Sequence, residues 1–225
     1  MARIGAKDPV GLSGRISRVL IVNPGSSSLK LRVLERDDRV AAQEDLKALE
    51  GKAELDSLQA FLAHAGDLDA AGVRVVHGGA DFNRSIVVDT DMLEQLDQVS
   101  ELAPLHNPPA LAAMRSLRQL RPKLPVVACF DTAFHATLPA EAHTYAVPLE
   151  WREWGVRRYG FHGLSHSYAS RRVAEMTGAR LDQAANRSAH PDAAIGARDS
   201  LVQLLVITAR EDLEIAREVR NTLTG

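Results

Sequence analysis

Arg18–Asn23 (RVLIVN) leads into Pro24-Gly25-Ser26-Ser27-Ser28 and out through Leu29–Leu34 (LKLRVL), and no other stretch of the chain constrains its fold as tightly. A short apolar, β-branched run reads as a buried strand. The Pro-Gly-Ser cluster reads as a turn. The alternation of apolar and charged residues that follows reads as a half-buried strand. Together they predict a β-hairpin with a serine-rich tip. Small residues at such a tip let backbone N–H groups approach a phosphate closely. Ser26 and Ser28 offer hydroxyl donors and Lys30 a point charge. This is no Walker loop, because G-x-x-x-x-G-K-[ST] is absent and a strand follows the turn. Alone, the segment equally describes a solvated hairpin turn.

The rest of the chain mixes strands and helices. Gln43–Ala65 is expected to be one helix, with Leu46, Leu49, Leu55, Leu58 and Leu62 near helical spacing and a weak point at Gly51. Val73–Val76 and Pro125–Phe130 are expected strands. Asp89–Leu102 is an expected helix, and Pro108-Pro109 opens another, since proline suits a first turn. Ser165 is the expected cap of a helix reaching Met176. Ala179–Ser200 has few large apolar residues and reads as linker or weakly packed coil. Leu201–Ile207 is an expected strand and Glu211–Leu223 an amphipathic helix. Interspersed strands and helices indicate an α/β or α+β fold.

Four further segments carry chemistry. On a strand, Arg74 and Val76 share a face, so an arginine fork stands beside an apolar wall, as a small carboxylate requires. The bland alternative is a surface arginine on an edge strand. In Ala103-Pro-Leu-His-Asn-Pro-Pro109, three prolines fix the loop around His106. Asp131 directly follows a buried strand, where open α/β sheets place ligand-binding residues, although Asp-Thr also suits a helix cap. Arg157-Arg-Tyr-Gly-Phe-His-Gly-Leu-Ser-His166 gathers cations and glycines into an anion site more readily than into a plain basic turn.

Bulk properties exclude some classes. With 225 residues the chain is long enough for a sizeable core. A net charge of −2 gives no broad basic field, so neither nucleic acid nor an anionic membrane is an expected partner. The lone Cys129 cannot form an internal disulfide and reads as a small buried hydrophobe; with no run of transmembrane length, a cytoplasmic location is expected. Residues 1–17 are too polar and Gly-broken for a signal peptide and read as a disordered extension.

The phrases VNPGSSSLK, RVVHGG, APLHNPP, FDTAFH and RRYGFHGLSH, in that order between Val19 and Gly178, resemble the acetate kinase family. The resemblance implies the actin-like ATPase fold, shared with sugar kinases and Hsp70. It implies transfer of phosphate from ATP to acetate, with Mg2+ as the metal. Asn23 then resembles a metal-site residue, and Lys30, Ser26 and Ser28 resemble ATP- and phosphate-binding residues. Arg74 resembles the carboxylate-binding arginine, with Val76, Leu105 and Phe161 lining the methyl pocket. Asp131 resembles the catalytic aspartate, and His106 and His162 the histidines that hold the transferred phosphoryl group. Family members are commonly homodimers, so the resemblance offers a homodimer as one option, although much of that interface belongs to the second domain.

The chain departs from the family pattern. Val73 precedes Arg74 where Gly-His is usual before Arg-Val-Val, and Pro24 follows Asn23 where Ala is frequent. The family's histidine-leucine-glycine-asparagine-glycine loop does not occur in this sequence. Its second catalytic arginine, later glycine-rich nucleotide loops and magnesium-binding glutamate find no counterpart either. Residues 179–186 and 207–216 resemble the family's carboxyl terminus, which implies an internal deletion. The expected plan is a first actin-like domain over 18–150, the start of a second over 151–178, a linker over 179–200, and a strand and helix over 201–225 returning to the first domain. The expected function is an impaired acetate kinase. The alternatives are a non-catalytic carboxylate- or phosphate-binding remnant, or a propionate or butyrate kinase.

Overall fold

The hairpin forms as its pattern requires. In the computed structural model, which describes residues 16–25, 28–47, 52–190 and 192–207, β1 (Val19–Pro24) and β2 (Ser28–Leu34) pair antiparallel, with Asn23 opposite Lys30. Ser26 lies outside the described residues. Residues 1–15, the remainder of the expected extension apart from Ile16 and Ser17, and the helix expected over 211–223 also lie outside them.

β2 pairs next with β3 (Val40–Lys47), where the sequence suggested the start of a long helix. The helix, α1 (Lys52–His64), begins later. The reason is lateral pairing. Gln43, Glu44, Asp45 and Leu46 sit in the ladder opposite Arg32, Leu31, Lys30 and Leu29. Arg32 ties the two strands through an ion pair to Asp45 at 2.5 Å and a hydrogen bond to the Glu44 carbonyl at 3.1 Å. Leucine spacing alone does not register a ladder partner.

β4 (Ala70–Val75) runs parallel to β1 on its other side. After it come β5 (Ile86–Val87), α2 (Thr90–Gln98), a short 3-10 turn over Ser100–Leu102, α3 (Asn107–Leu120) and β6 (Val126–Phe130). β6 is parallel to β4, and β5 closes the edge antiparallel, giving the order β3-β2-β1-β4-β6-β5. Asp89 caps α2 by accepting from the Met92 N–H at 2.8 Å. The helix expected to reach Leu102 ends at Gln98, and the Val99 carbonyl instead accepts from Asn107 Nδ2 at 3.3 Å. β4 is central, so Arg74 is not on an edge strand.

Burial alternates along the strands and divides the sheet into two faces. Leu20, Val22, Leu31, Val33, Val73, Val75, Ala128 and Phe130 point into one core with Leu58 and Leu62 of α1, Leu96 of α2, and Met114 and Leu117 of α3. Each large apolar side chain sealed there contributes roughly 1.5–3 kcal/mol. The opposite face carries Ile21, Asn23, Lys30, Arg32, Arg74 and Cys129, all half-buried or exposed. Cys129 is therefore only partly buried, because its strand position points away from the core.

A 3-10 turn over Asp131–His135, α4 (Ala140–His143) and α5 (Leu149–Glu153) follow. The chain divides into two units between His166 and Ser167, inside α6 (Gly163–Thr177). That helix starts two residues before the expected cap at Ser165. The second unit holds the rest of α6, α7 (Gln183–Arg187) and a two-stranded pair, β7 (Ala193–Ala194) with β8 (Leu205–Val206). The stretch expected as coil thus contains a helix, capped by Asp182 Oδ1 accepting from the Ala184 and Ala185 N–H groups at 2.8 and 2.9 Å. The strand expected over Leu201–Ile207 shrinks to two residues, because the Leu201 N–H bonds back to the Gly178 carbonyl at 3.2 Å instead of joining a ladder. No described residue from Ser167 onward is buried. Among the described residues no helix is long and apolar enough to cross a membrane.

Candidate functional site

The three parallel strands β1, β4 and β6 end at one border of the sheet, and a polar residue stands at each end. Asn23 is the penultimate residue of β1, Arg74 that of β4, and Asp131 follows β6 directly. Period-two alternation turns Asn23 and Arg74 to the face opposite the core, and Asp131 opens the 3-10 turn that follows β6. Arg74 Nε and Nη2 donate to Asp131 Oδ2 at 3.1 and 2.6 Å, and Nη1 reaches Asn23 Oδ1 at 3.4 Å. Asp131 is 1% exposed, so the guanidinium supplies the charge compensation that a buried carboxylate needs. Lys30, on the strand beside Asn23, is exposed and opposite Asp45. The Arg32 hydrogen bond, chiefly, holds the Asp45 carboxyl below its ordinary value, with Lys30 adding a smaller pull.

The loops beyond the strands are bound to one another through backbone groups. Val76, half-buried, lies just past the end of β4. His77 comes next and is 5% exposed. Its N–H donates to Asn107 Oδ1 at 3.1 Å and its carbonyl accepts from Asn107 Nδ2 at 2.8 Å. The Gly78 N–H donates to Thr132 Oγ1 at 3.0 Å. The His77 ring lies 4.6 Å from the Tyr159 ring and 5.5 Å from that of Phe161. Burial keeps the His77 pKa below its ordinary value and pushes that of Tyr159 up.

The Phe161-His162-Gly163 turn is seated on the segment that carries Asp131. His135 Nε2 donates to the Phe161 carbonyl at 3.0 Å. A Cβ at Gly160 would enter the His135 ring, and one at Gly163 would strike the Asp131 carbonyl oxygen, so both positions require glycine for close approach. His162 between them adopts φ 56°, the left-handed region that non-glycine residues seldom occupy. Above the turn, the Arg157 guanidinium stands 5.3 Å from the Tyr159 ring centre, and Arg158 stands 5.5 Å from that of Tyr145.

The structure therefore joins Asn23, Arg74 and Asp131 by direct contact and sets Lys30 in register with the first. Ser28 is half-buried at the start of β2, where its carbonyl accepts from the Gly25 N–H at 2.7 Å. His106 and His162 are exposed, at the amino-terminal border of α3 and immediately before α6. Leu105 is 76% exposed and Phe161 44%, so the expected apolar wall is open to solvent. His77, Asn107 and Thr132 organise the site yet received no role from the sequence. All three sit inside the quoted phrases RVVHGG, APLHNPP and FDTAFH, but nothing in a single sequence says that they face each other.

Among the described residues no group of three or more His, Cys, Asp or Glu side chains is placed to hold a metal ion. Asp131 Oδ2 and Asn23 Oδ1 are nonetheless hard oxygen donors that contact the same Arg74 guanidinium. That set suits Mg2+, which takes one or two carboxylates and fills its remaining positions with water and phosphate oxygens.

The known proteins that this chain resembles in sequence and fold are kinases of small carboxylates. The acetate kinase of Desulforamulus reducens is 40% identical over 175 residues, covering 77% of this chain and 42% of that protein. The propionate kinase of Francisella tularensis superposes with a TM-score of 0.62 at 31% identity, covering 74% of this chain and 52% of the other. The Porphyromonas gingivalis acetate kinase gives a TM-score of 0.62 at 26% identity, covering 91% of this chain and 65% of that one. The architecture is thus the actin-like fold of these kinases. The chain spans about half the length of the curated relatives it matches. The family model described as the Acetokinase family matches residues 40–190, well over half of the sequence, and on that match the chain belongs to the acetokinase family.

Proposed function

We propose that this chain carries an acetate kinase-type site, built to pass a phosphoryl group from ATP directly to acetate in line, giving acetyl phosphate and ADP, and that the chain performs the transfer poorly or not at all. The observation that carries the reading is the Arg74–Asp131–Asn23 cluster at the ends of three parallel strands. A carboxylate is already an anion and needs no general base. The barrier lies in bringing two anions together and in the charge on the transferred oxygens. Catalysis is then a matter of positioning and electrostatics. Asp131 takes the Nε side of Arg74, and the arm with only a long contact to Asn23 is left for a carboxylate ligand. Val76, Leu105 and Phe161 would enclose its alkyl end. His106 and His162 would meet the transferred oxygens, and Lys30 with Ser26 and Ser28 the nucleotide phosphates. Asp131 and Asn23 would hold Mg2+, which when bound neutralises phosphate charge.

Two observations support impairment. The glycine-rich nucleotide loop and second arginine implied by the resemblance find no counterpart in the sequence. Leu105 and Phe161 are also more exposed than a closed pocket allows. Loss of one transition-state cation in phosphoryl transfer typically costs ~10³-fold or more. An internal deletion is the simplest origin, supported by the resemblance of residues 179–186 and 207–216 to the family's carboxyl terminus. A non-catalytic module that binds carboxylate or phosphate is the second reading, favoured by the same exposure. The propionate kinase similarity keeps a longer substrate open, since one methylene changes binding by only ~1–3 kcal/mol. The test is trapping of acyl phosphate as hydroxamate with acetate, propionate or butyrate and Mg-ATP. Turnover at least ~10³-fold below a full-length relative is expected; turnover equal to it overturns the impairment.

A further inference from the structure

We propose that His77 is a positioning residue of this site, setting the two histidine-bearing loops, Leu105–Asn107 and Tyr159–Gly163, at the end of the Arg74 strand. The proposal rests on the acetate kinase reading for its functional meaning, and on contacts alone for its geometry.

The backbone of His77 is held at both polar groups by one side chain. Asn107 is 1% exposed; its Oδ1 accepts from the His77 N–H and its Nδ2 donates to the His77 carbonyl. Asn107 is the first residue of α3, so this clamp fixes where the chain passes from His106 into the helix. The ring works in the other direction. Its Nδ1 accepts from the Gly79 N–H at 2.9 Å, which orients the imidazole and leaves the proton on Nε2. Tyr159 and Phe161 then rest on that ring. The Gly78 N–H reaches Thr132, beside Asp131. Residues 77–79 thus touch each of the other three loop segments, while Arg74, three residues back, makes the ion pair. A shift in the imidazole moves Phe161, and with it His162, although His77 itself is assigned no contact with substrate.

Two substitutions separate the roles of the ring and of its nitrogen. His77→Asn offers an amide oxygen in place of Nδ1 but removes the surface on which Tyr159 and Phe161 lie. His77→Phe keeps the surface and loses the acceptor. Backbone amide resonances of His162 and Gly163 report loop order without ligand, and titration with 13C-acetate reports the site. With His77→Asn, those two amides should shift or broaden while those of Val73 and Arg74 stay in place, and acetate affinity should fall roughly tenfold to hundredfold. His77→Phe should keep the His162 and Gly163 amides and acetate affinity near wild type, even at lower melting temperature. Unmoved amides in His77→Asn, or equal disturbance of the loop in both variants, would overturn the proposal. If the unsubstituted chain binds no acetate, the kinase-type reading fails, while the amide comparison still decides the role of His77.

Discussion

Asp131 is an acid almost sealed from water, and its stability depends on Arg74. Breaking a buried pair by removing one partner leaves an uncompensated charge and costs about 3–5 kcal/mol. Arg74→Leu should therefore lower unfolding free energy by about that much, and adding Asp131→Asn should recover most of it. Urea denaturation of the two single variants and the double variant checks this; additive losses would contradict the coupling. His77 gives a second residue-scale expectation. Its folded pKa lies below the ordinary 6.5 because of burial. The titratable group facing its ring is Tyr159, raised chiefly by burial, with Arg157 lowering it and Asp81 raising it. Below pH 6.5 the unfolded chain therefore binds more protons at His77 than the folded one. Stability should fall as pH drops toward the folded pKa, by at most about 1.4 kcal/mol per pH unit. His77→Phe should lose that part of the slope in urea midpoints taken on both sides of pH 6.5; identical slopes would show that another group titrates.

At the scale of elements, α6 begins where it does because Gly163 lies against the Asp131 carbonyl. Gly163→Ala should force the helix away from that strand end and destabilise the protein by about 1–3 kcal/mol in chemical denaturation. A neutral substitution would mean that the contact is looser than described. The elements that the sequence rendered faithfully were those with a local cause: alternation and a turn for the β1–β2 hairpin, prolines for α3, an apolar run for β6. Where the cause was a distant partner, it misled. β3 owes its extended form to Arg32 and the β2 ladder, and the end of α2 to Asn107. The same divide runs through the site. Arg74 and Asp131 were readable from their positions at strand ends and from family phrases, whereas the His77–Asn107 clamp depends on two loops meeting.

At the scale of the whole molecule, one unit has a core and the other has none among its described residues. Segments with few buried apolar contacts open at low free energy. Limited proteolysis should therefore cut first beyond Ser167 and leave a resistant fragment containing the six-stranded sheet; cleavage starting within β1–β6 would contradict this. Leu149, Trp151 and Trp154 are exposed on the first unit, and such a patch favours association. Sedimentation should show concentration-dependent self-association that weakens in Trp154→Ser. On the proposed reading, Arg74 holds a small carboxylate while the nucleotide side of the site is deficient. Titrating the purified chain and Arg74→Leu with 13C-acetate, in parallel with Mg-ATP, tests it most directly. Acetate should bind the unsubstituted chain and not the variant, with no tight nucleotide binding to either. Acetate binding unchanged by Arg74→Leu, or tight ATP binding by the unsubstituted chain, would contradict the account.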